Sequence, residues 1–187
     1  VDARVLIPRG ETEELVDRVL RENAMRTARV LDVGTGSGAI AVSLALARPA
    51  WKVEALDVSP DALALARENA RRLGAEVEFR QVDILQEDAW TALGTYDVVV
   101  SNPPYVRESE RAQMHDNVRR YEPPLALFVP DEDPLRFYRA IGRFALAGLA
   151  AGGRLYFEIN RAFGRQTAEL LTGLGFAEVE VFQDING

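Results

Sequence analysis

Short apolar runs alternate with stretches of helical period along this chain. Leu15, Val16, Val19 and Leu20 recur at helical spacing and predict a helix ending near residue 22. Gly10 or Thr12 would cap it, and Glu13 and Glu14 suit its positive N-terminal end. Arg29–Val33 predicts a strand, residues 39–48 a helix stopped by Pro49, and Lys52–Asp57 a second strand. Pro60 opens a helix that runs to Leu73 and closes at Gly74. Residues 76–82 predict a third strand and residues 88–93 a short helix. The run Tyr96 to Val100, bounded by Gly94 and two prolines, predicts a buried fourth strand. A helix over 135–151, broken by Gly152 and Gly153, precedes a fifth strand over 154–159. A helix over 162–174 closes at Gly175, residues 176–182 alternate as a sixth strand, and 184–187 resemble a turn.

Strands that alternate with helices predict an α/β domain with a parallel, doubly wound sheet and right-handed crossovers. The 187 residues suffice for one domain, with a leading segment and helix over 1–27 and a core over 28–187. Residues 106–133 depart from the pattern. Their periodicity is weak and they hold Pro123, Pro124, Pro130 and the lone His115, so they read as a binding loop with His115 a loop residue rather than a base.

Composition narrows the chemistry. A net charge of −7 argues against a nucleic-acid-binding surface. The absence of cysteine excludes disulfides and thiolate metal sites, and one histidine excludes multi-histidine metal centres. No apolar run is long enough to span a bilayer. The absence of cysteine is compatible with a reducing compartment without proving one; the chain is expected to work in the cytoplasm, without a membrane, a metal or direct nucleic-acid binding.

Two stretches carry the chemistry. Gly34-Thr35-Gly36-Ser37-Gly38 lies between a strand and a helix, as at the opening of a Rossmann-like unit. Its glycines admit close backbone approach, and the helix start offers free N–H groups. Asp57 ends the second strand, where an acid receives ribose hydroxyls. Asp83 ends the third, placed to accept from an adenine amine with Ile84 against the ring. Asp32 either orders the glycine turn or receives an ammonium group. Gly34, Gly36 and Ala39 also satisfy a dinucleotide pattern, but the fourth strand shows no hydride-transfer acid or base. It leads instead into Ser101-Asn102-Pro103-Pro104-Tyr105. The two prolines stiffen this corner, which presents one amide, free carbonyls and an aromatic ring to a planar group bearing N–H donors.

Together these motifs resemble a class I S-adenosylmethionine-dependent methyltransferase, which implies a Rossmann-like fold. Asp32, Val33, Gly34, Thr35 and Gly36 resemble its cofactor loop, and Asp57 its ribose acid. Asn102-Pro103-Pro104-Tyr105 is similar to the signature of amino-group N-methyltransferases. Residues 7–16, Ile-Pro-Arg-Gly-Glu-Thr-Glu-Glu-Leu-Val, resemble a segment of the HemK/PrmC family. So do Arg120-Tyr121-Glu122-Pro123 with Ala126-Leu127, Phe157-Glu158-Ile159, and Gln166. That family methylates the glutamine N5 of the Gly-Gly-Gln motif in peptide chain release factors. The resemblance implies Asn102, Pro103 and Tyr105 as catalytic residues, Pro104, Arg9 and Glu11 as further substrate contacts, and S-adenosylmethionine held by the cofactor loop, Asp57, Asp83, Ile84 and Asn102. It implies a release factor as partner; the chain is expected to act as a monomer, although the sequence itself does not give the oligomeric state. Gly10 and Asn160 depart from the family's usual proline and glycine. The family's N-terminal helical domain has no counterpart here, and its sheet ends with an antiparallel strand beyond Gly187, so the chain reads as a catalytic domain trimmed at both ends. Other readings are an adenine N6-methyltransferase on DNA or RNA, a glutamine methyltransferase on a ribosomal protein, a non-catalytic adenosine-binding module, and an NAD enzyme.

Overall fold

The computed structural model describes residues 4–113, 123 and 126–183. Five strands form one sheet: β1 (Arg29–Val33), β2 (Lys52–Asp57), β3 (Val77–Gln81), β4 (Tyr96–Ser101) and β7 (Leu149–Phe157). Their order is β3-β2-β1-β4-β7, and every neighbouring pair is parallel. The order reverses between β1 and β4, and in open α/β sheets the crevice at that switch point receives ligands.

Side-chain alternation along the strands builds a core on each face. Val30, Val53, Ala55, Val98 and Val100 face one way, and bury against α1 (Gly10–Glu22) and α2 (Ala39–Ala47) through Leu15, Val19, Ile40 and Leu44. On that side α3 (Pro60–Leu73) lies beside α2. Leu31, Val33, Leu56 and Val99 face the other way, onto Ile141 and Phe144 of α4 (Arg136–Gly148). The next helix, α5 (Gly164–Leu174), packs on α4. α3 follows its sequence signals closely. The Ser59 side chain accepts from Ala62 N–H, Pro60 occupies the first turn, and Gly74 closes the helix at φ 73°.

Several expectations change. α1 begins at Gly10 with Arg9 as its N-cap residue and no side-chain cap, so the Thr12 hydroxyl is left for another purpose. The short helix is a 3₁₀ turn, Glu87–Ala92. α4 ends at Gly148, and β7 starts there and runs through both glycines of the expected break. Gly152 sits at φ 77° beside a register shift in the β4–β7 pairing. A Cβ on Gly153 would meet the Ala150 and Asp97 carbonyls at 2.9 and 3.1 Å, so here glycine admits a bulge rather than ending an element. The irregular segment contains two short parallel strands, β5 (Val106–Arg107) and β6 (Phe128–Val129), and a 3₁₀ turn, Glu108–Gln113. His115 and Arg120 to Glu122 lie outside the described residues, as does the turn expected over 184–187. The sixth strand does not form. No described residue pairs with 176–182, Glu178 takes φ 54°, and Val181 and Phe182 are about half exposed. Alternation makes a strand only where a neighbouring backbone supplies the ladder.

Candidate active site

The C-terminal ends of β1, β2, β4 and β7 bring most of the expected site residues to one edge of the sheet. The glycine turn is built by left-handed backbone: Gly34, Gly36 and Gly38 have φ of 73°, 55° and 82°. The Gly34 and Thr35 N–H groups both donate to the Leu56 carbonyl, at 2.9 and 2.8 Å, which lashes the turn to the end of β2.

Two carboxylates tighten it. Asp57 accepts from Gly36 N–H and from Ser59 N–H, each at 2.9 Å. It thus orders the turn while its remaining lone pairs stay open to a ligand. Asp32 is fully buried; its Oδ2 accepts from the Thr35 hydroxyl at 2.6 Å and from Ala41 N–H at 3.2 Å. Its Oδ1 has no hydrogen-bond partner among the described residues. Of the two roles considered for Asp32, one oxygen performs the first and the other is left for the second. Burial pushes the Asp32 carboxyl up to about 7, against the lowering effect of its two hydrogen bonds, and Asp57 nearby raises it further. Asp57 is also raised, again chiefly by burial.

Asp83 sits in a local turn, accepting from Leu85 N–H at 2.9 Å. Ile84 is buried in the core beside Leu56 and Val99, and its carbonyl accepts from the Trp90 indole.

The corner follows β4 directly. The Ser101 hydroxyl donates to the Val33 carbonyl at 2.6 Å, tying the last residue of β4 to the last residue of β1. Pro103 is buried. Asn102 donates from Nδ2 to the Thr12 hydroxyl oxygen at 3.4 Å, while its Oδ1 is buried with no partner among the described residues. Thr12 in turn donates to Glu158 Oε2 at 2.7 Å. Tyr105 donates to Glu158 Oε1 at 3.4 Å. Burial, and then the Glu158 charge, push the Tyr105 phenol up to about 12, so it stays a neutral donor. Glu158 is held by its own N–H on the Ser101 carbonyl, one residue past the end of β7. An open cleft at the corner is lined by Leu6, Arg9, Pro104, Tyr105 and Leu127. Arg9 is exposed at this cleft and Glu11 is half-buried on the first turn of α1. Both act electrostatically on Tyr105 and Glu158.

Residues 11–119 match the methyltransferase small domain family. The chain belongs to that family. It is 50% identical over 98% of its length to the release factor glutamine methyltransferase of Bacteroides thetaiotaomicron, covering 65% of that protein. It is 44% identical over its whole length to the release factor glutamine methyltransferase of Lactococcus lactis, covering 68%. The chain thus spans about two thirds of the length of such relatives. A ribosomal protein L11 methylase from Lactobacillus delbrueckii superposes with a TM-score of 0.67 over 96% of this chain and 77% of that one, at 17% identity. That likeness establishes the Rossmann-like methyltransferase fold alone. The family resemblance read from residues 7–16 and the Asn102 corner therefore holds.

The sequence did not single out Thr12, Glu158 and Ser101 as parts of the site. The available signal was the family resemblance of residues 7–16 and of Phe157-Glu158-Ile159, which hold Thr12 and Glu158; the expected strand over 154–159 kept Glu158 inside an element, whereas β7 ends one residue before it. Asn160, one of the departures, donates from Nδ2 to the Tyr105 carbonyl at 3.3 Å and accepts from Ala162 N–H through Oδ1, so it braces the corner.

Proposed function

We propose that this chain is a catalytic domain that transfers a methyl group from S-adenosylmethionine to the side-chain amide nitrogen of the glutamine in the Gly-Gly-Gln motif of peptide chain release factors. The observation that carries this reading is Asn102 Oδ1, a buried acceptor without a partner among the described residues, on a corner stiffened by two prolines. A primary amide brings the N–H donors that such an acceptor lacks. The names of the relatives point to the same substrate.

The glycine turn and the acids around it fit the cofactor. Asp32 Oδ1 would receive its ammonium group, Gly34 to Gly36 its close approach, Asp57 its ribose, and Asp83 with Ile84 its adenine. When bound, the cofactor supplies an electrophilic methyl on a sulfonium. The chain's own task is placement. An amide nitrogen is a weak nucleophile because its lone pair is delocalised into the carbonyl. Asn102 Oδ1 would accept one amide N–H and the Pro103 carbonyl the other, fixing the nitrogen and shifting electron density onto it; the N–H proton displaced on methylation would pass to solvent. Tyr105 would pack on the amide plane, while Arg9 and Glu11 close the cleft. Alignment of this kind contributes roughly 7–11 kcal/mol in well-oriented systems. With this reading go a role in translation termination, a cytoplasmic setting and action as a monomer.

The test is transfer from isotope-labelled S-adenosylmethionine to a purified release factor, with the modified residue located by mass spectrometry. Label on the Gly-Gly-Gln glutamine is the expected result. Label only in nucleic acid, or only in a ribosomal protein, would replace this substrate with one of the other methyl acceptors.

A further inference from the structure

An asparagine amide can sit either way round, and the two orientations are chemically opposite. With Oδ1 toward the acceptor site, Asn102 accepts a substrate N–H. With Nδ2 there, it offers a donor that repels one. Something must choose between them, and Pro103 and Pro104, lacking N–H groups, offer Oδ1 no backbone donor of their own.

The choice is readable from a chain of three groups. Glu158, held by the Ser101 carbonyl, accepts on both carboxylate oxygens, from Thr12 at 2.7 Å and from Tyr105 at 3.4 Å. Burial raises the Glu158 carboxyl and the Thr12 and Tyr105 hydroxyls lower it; with both hydroxyls donating to its two oxygens, Glu158 acts here as an acceptor. The single Thr12 proton is thereby committed to Glu158, which leaves the Thr12 oxygen able only to accept toward Asn102. A group that only accepts selects Nδ2, at 3.4 Å, and so turns Oδ1 to the other side. Thr12 is spared any duty at the helix end, because α1 has no side-chain cap, and it is buried against the corner.

We propose that Thr12 and Glu158 are positioning residues that fix the orientation of the Asn102 amide, with Glu158 setting the direction of the hydrogen bonds and Thr12 passing it on. This rests on the glutamine reading above for its kinetic consequence, though not for its geometry. The substrate class follows from the orientation: only a methyl acceptor bearing N–H donors, such as a primary amide or an exocyclic amine, matches the buried, unpartnered Oδ1. At 3.4 Å the bond from Asn102 to Thr12 lies at the long end for an N–H···O hydrogen bond.

The experiment compares Thr12→Val, which keeps shape and loses the hydroxyl, with Thr12→Ser, which restores it, and with Glu158→Gln, whose amide can donate and so frees the Thr12 proton to reverse. Turnover on the release factor should fall on the order of tenfold to hundredfold in Thr12→Val, as a small misplacement of a reacting group does. The fall should lie in kcat, with cofactor affinity kept, and Thr12→Ser should recover most of it. A second readout needs no turnover. The Asn102 side-chain amide signals in a nitrogen-15 correlation spectrum, identified by their loss in Asn102→Ala, should shift in Thr12→Val and in Glu158→Gln and return in Thr12→Ser. A wild-type protein that modifies no release factor would overturn the glutamine reading, while the spectrum would still decide the orientation. Unmoved Asn102 signals, wild-type turnover in Thr12→Val, or a Thr12→Ser variant no better than Thr12→Val would overturn the proposal. Should Thr12→Val not fold, Glu158→Gln carries both readouts.

Discussion

Asp57 clamps Gly36: the carboxylate that ends β2 accepts the Gly36 N–H at 2.9 Å, while its other oxygen accepts Ser59 N–H at the same distance. Both oxygens face N–H groups, so an amide at this position would set its own NH₂ against a donor. Asp57→Asn should therefore destabilise the ligand-free protein by roughly 1–3 kcal/mol, the cost of leaving a donor unsatisfied. Chemical denaturation without ligand reads this directly. Unchanged stability would show that the clamp does not hold the turn. Asp57→Ala should also weaken S-adenosylhomocysteine binding, and unchanged affinity would remove Asp57 from the cofactor site.

Asp32 gives a pH signature. Its folded-state value of about 7 lies above its ordinary 3.8, so the folded protein binds this proton more readily than the unfolded chain. The stabilising contribution is complete below pH 3.8 and is lost as pH rises through about 7. Asp32→Asn removes that dependence. The stability difference between variant and wild type should move in favour of the variant between pH 5 and pH 8, as melting temperatures across that range would report. A pH-independent difference would mean that Asp32 is already ionised in the ligand-free fold. Ligand binding should show the opposite trend, since a cation at Oδ1 favours the charged carboxylate.

The glycines of the turn divide by what surrounds them. A Cβ on Gly38 would lie 3.2 Å from the Ala66 Cβ and 3.4 Å from its Cα, and φ is already 82°. A Cβ on Gly36 would meet nothing within 4 Å. Both substitutions to alanine cost about 1–2 kcal/mol for left-handed backbone, and Gly38→Ala adds crowding. Melting temperature should fall further in Gly38→Ala, while ligand affinity should fall further, relative to stability, in Gly36→Ala. Equal losses of stability would mean that α3 yields to the added methyl.

The sequence announced this site unevenly, for physical reasons. The glycine turn and the Asn102 corner were legible because their chemistry is local: left-handed glycines, prolines without N–H groups, and acids at strand ends. Thr12 was not. Its bond joins residues 146 apart in sequence, and a threonine near a helix start imitates a cap. The sheet core was legible from apolar runs, since parallel strands bury both faces. Residues 176–182 misled because alternation describes a face, whereas a strand requires a neighbour. Gly152 and Gly153 misled because the same residues that end a helix also permit a bulge.

The proposed role of the Asn102 corner is to grip the methyl acceptor. It is tested most directly by measuring single-turnover methyl transfer to a release factor in wild type and Asn102→Ala, with cofactor affinity measured alongside. A collapse of transfer on the order of a hundredfold or more, with cofactor binding largely kept, is the predicted result. Near-normal transfer in Asn102→Ala would contradict it.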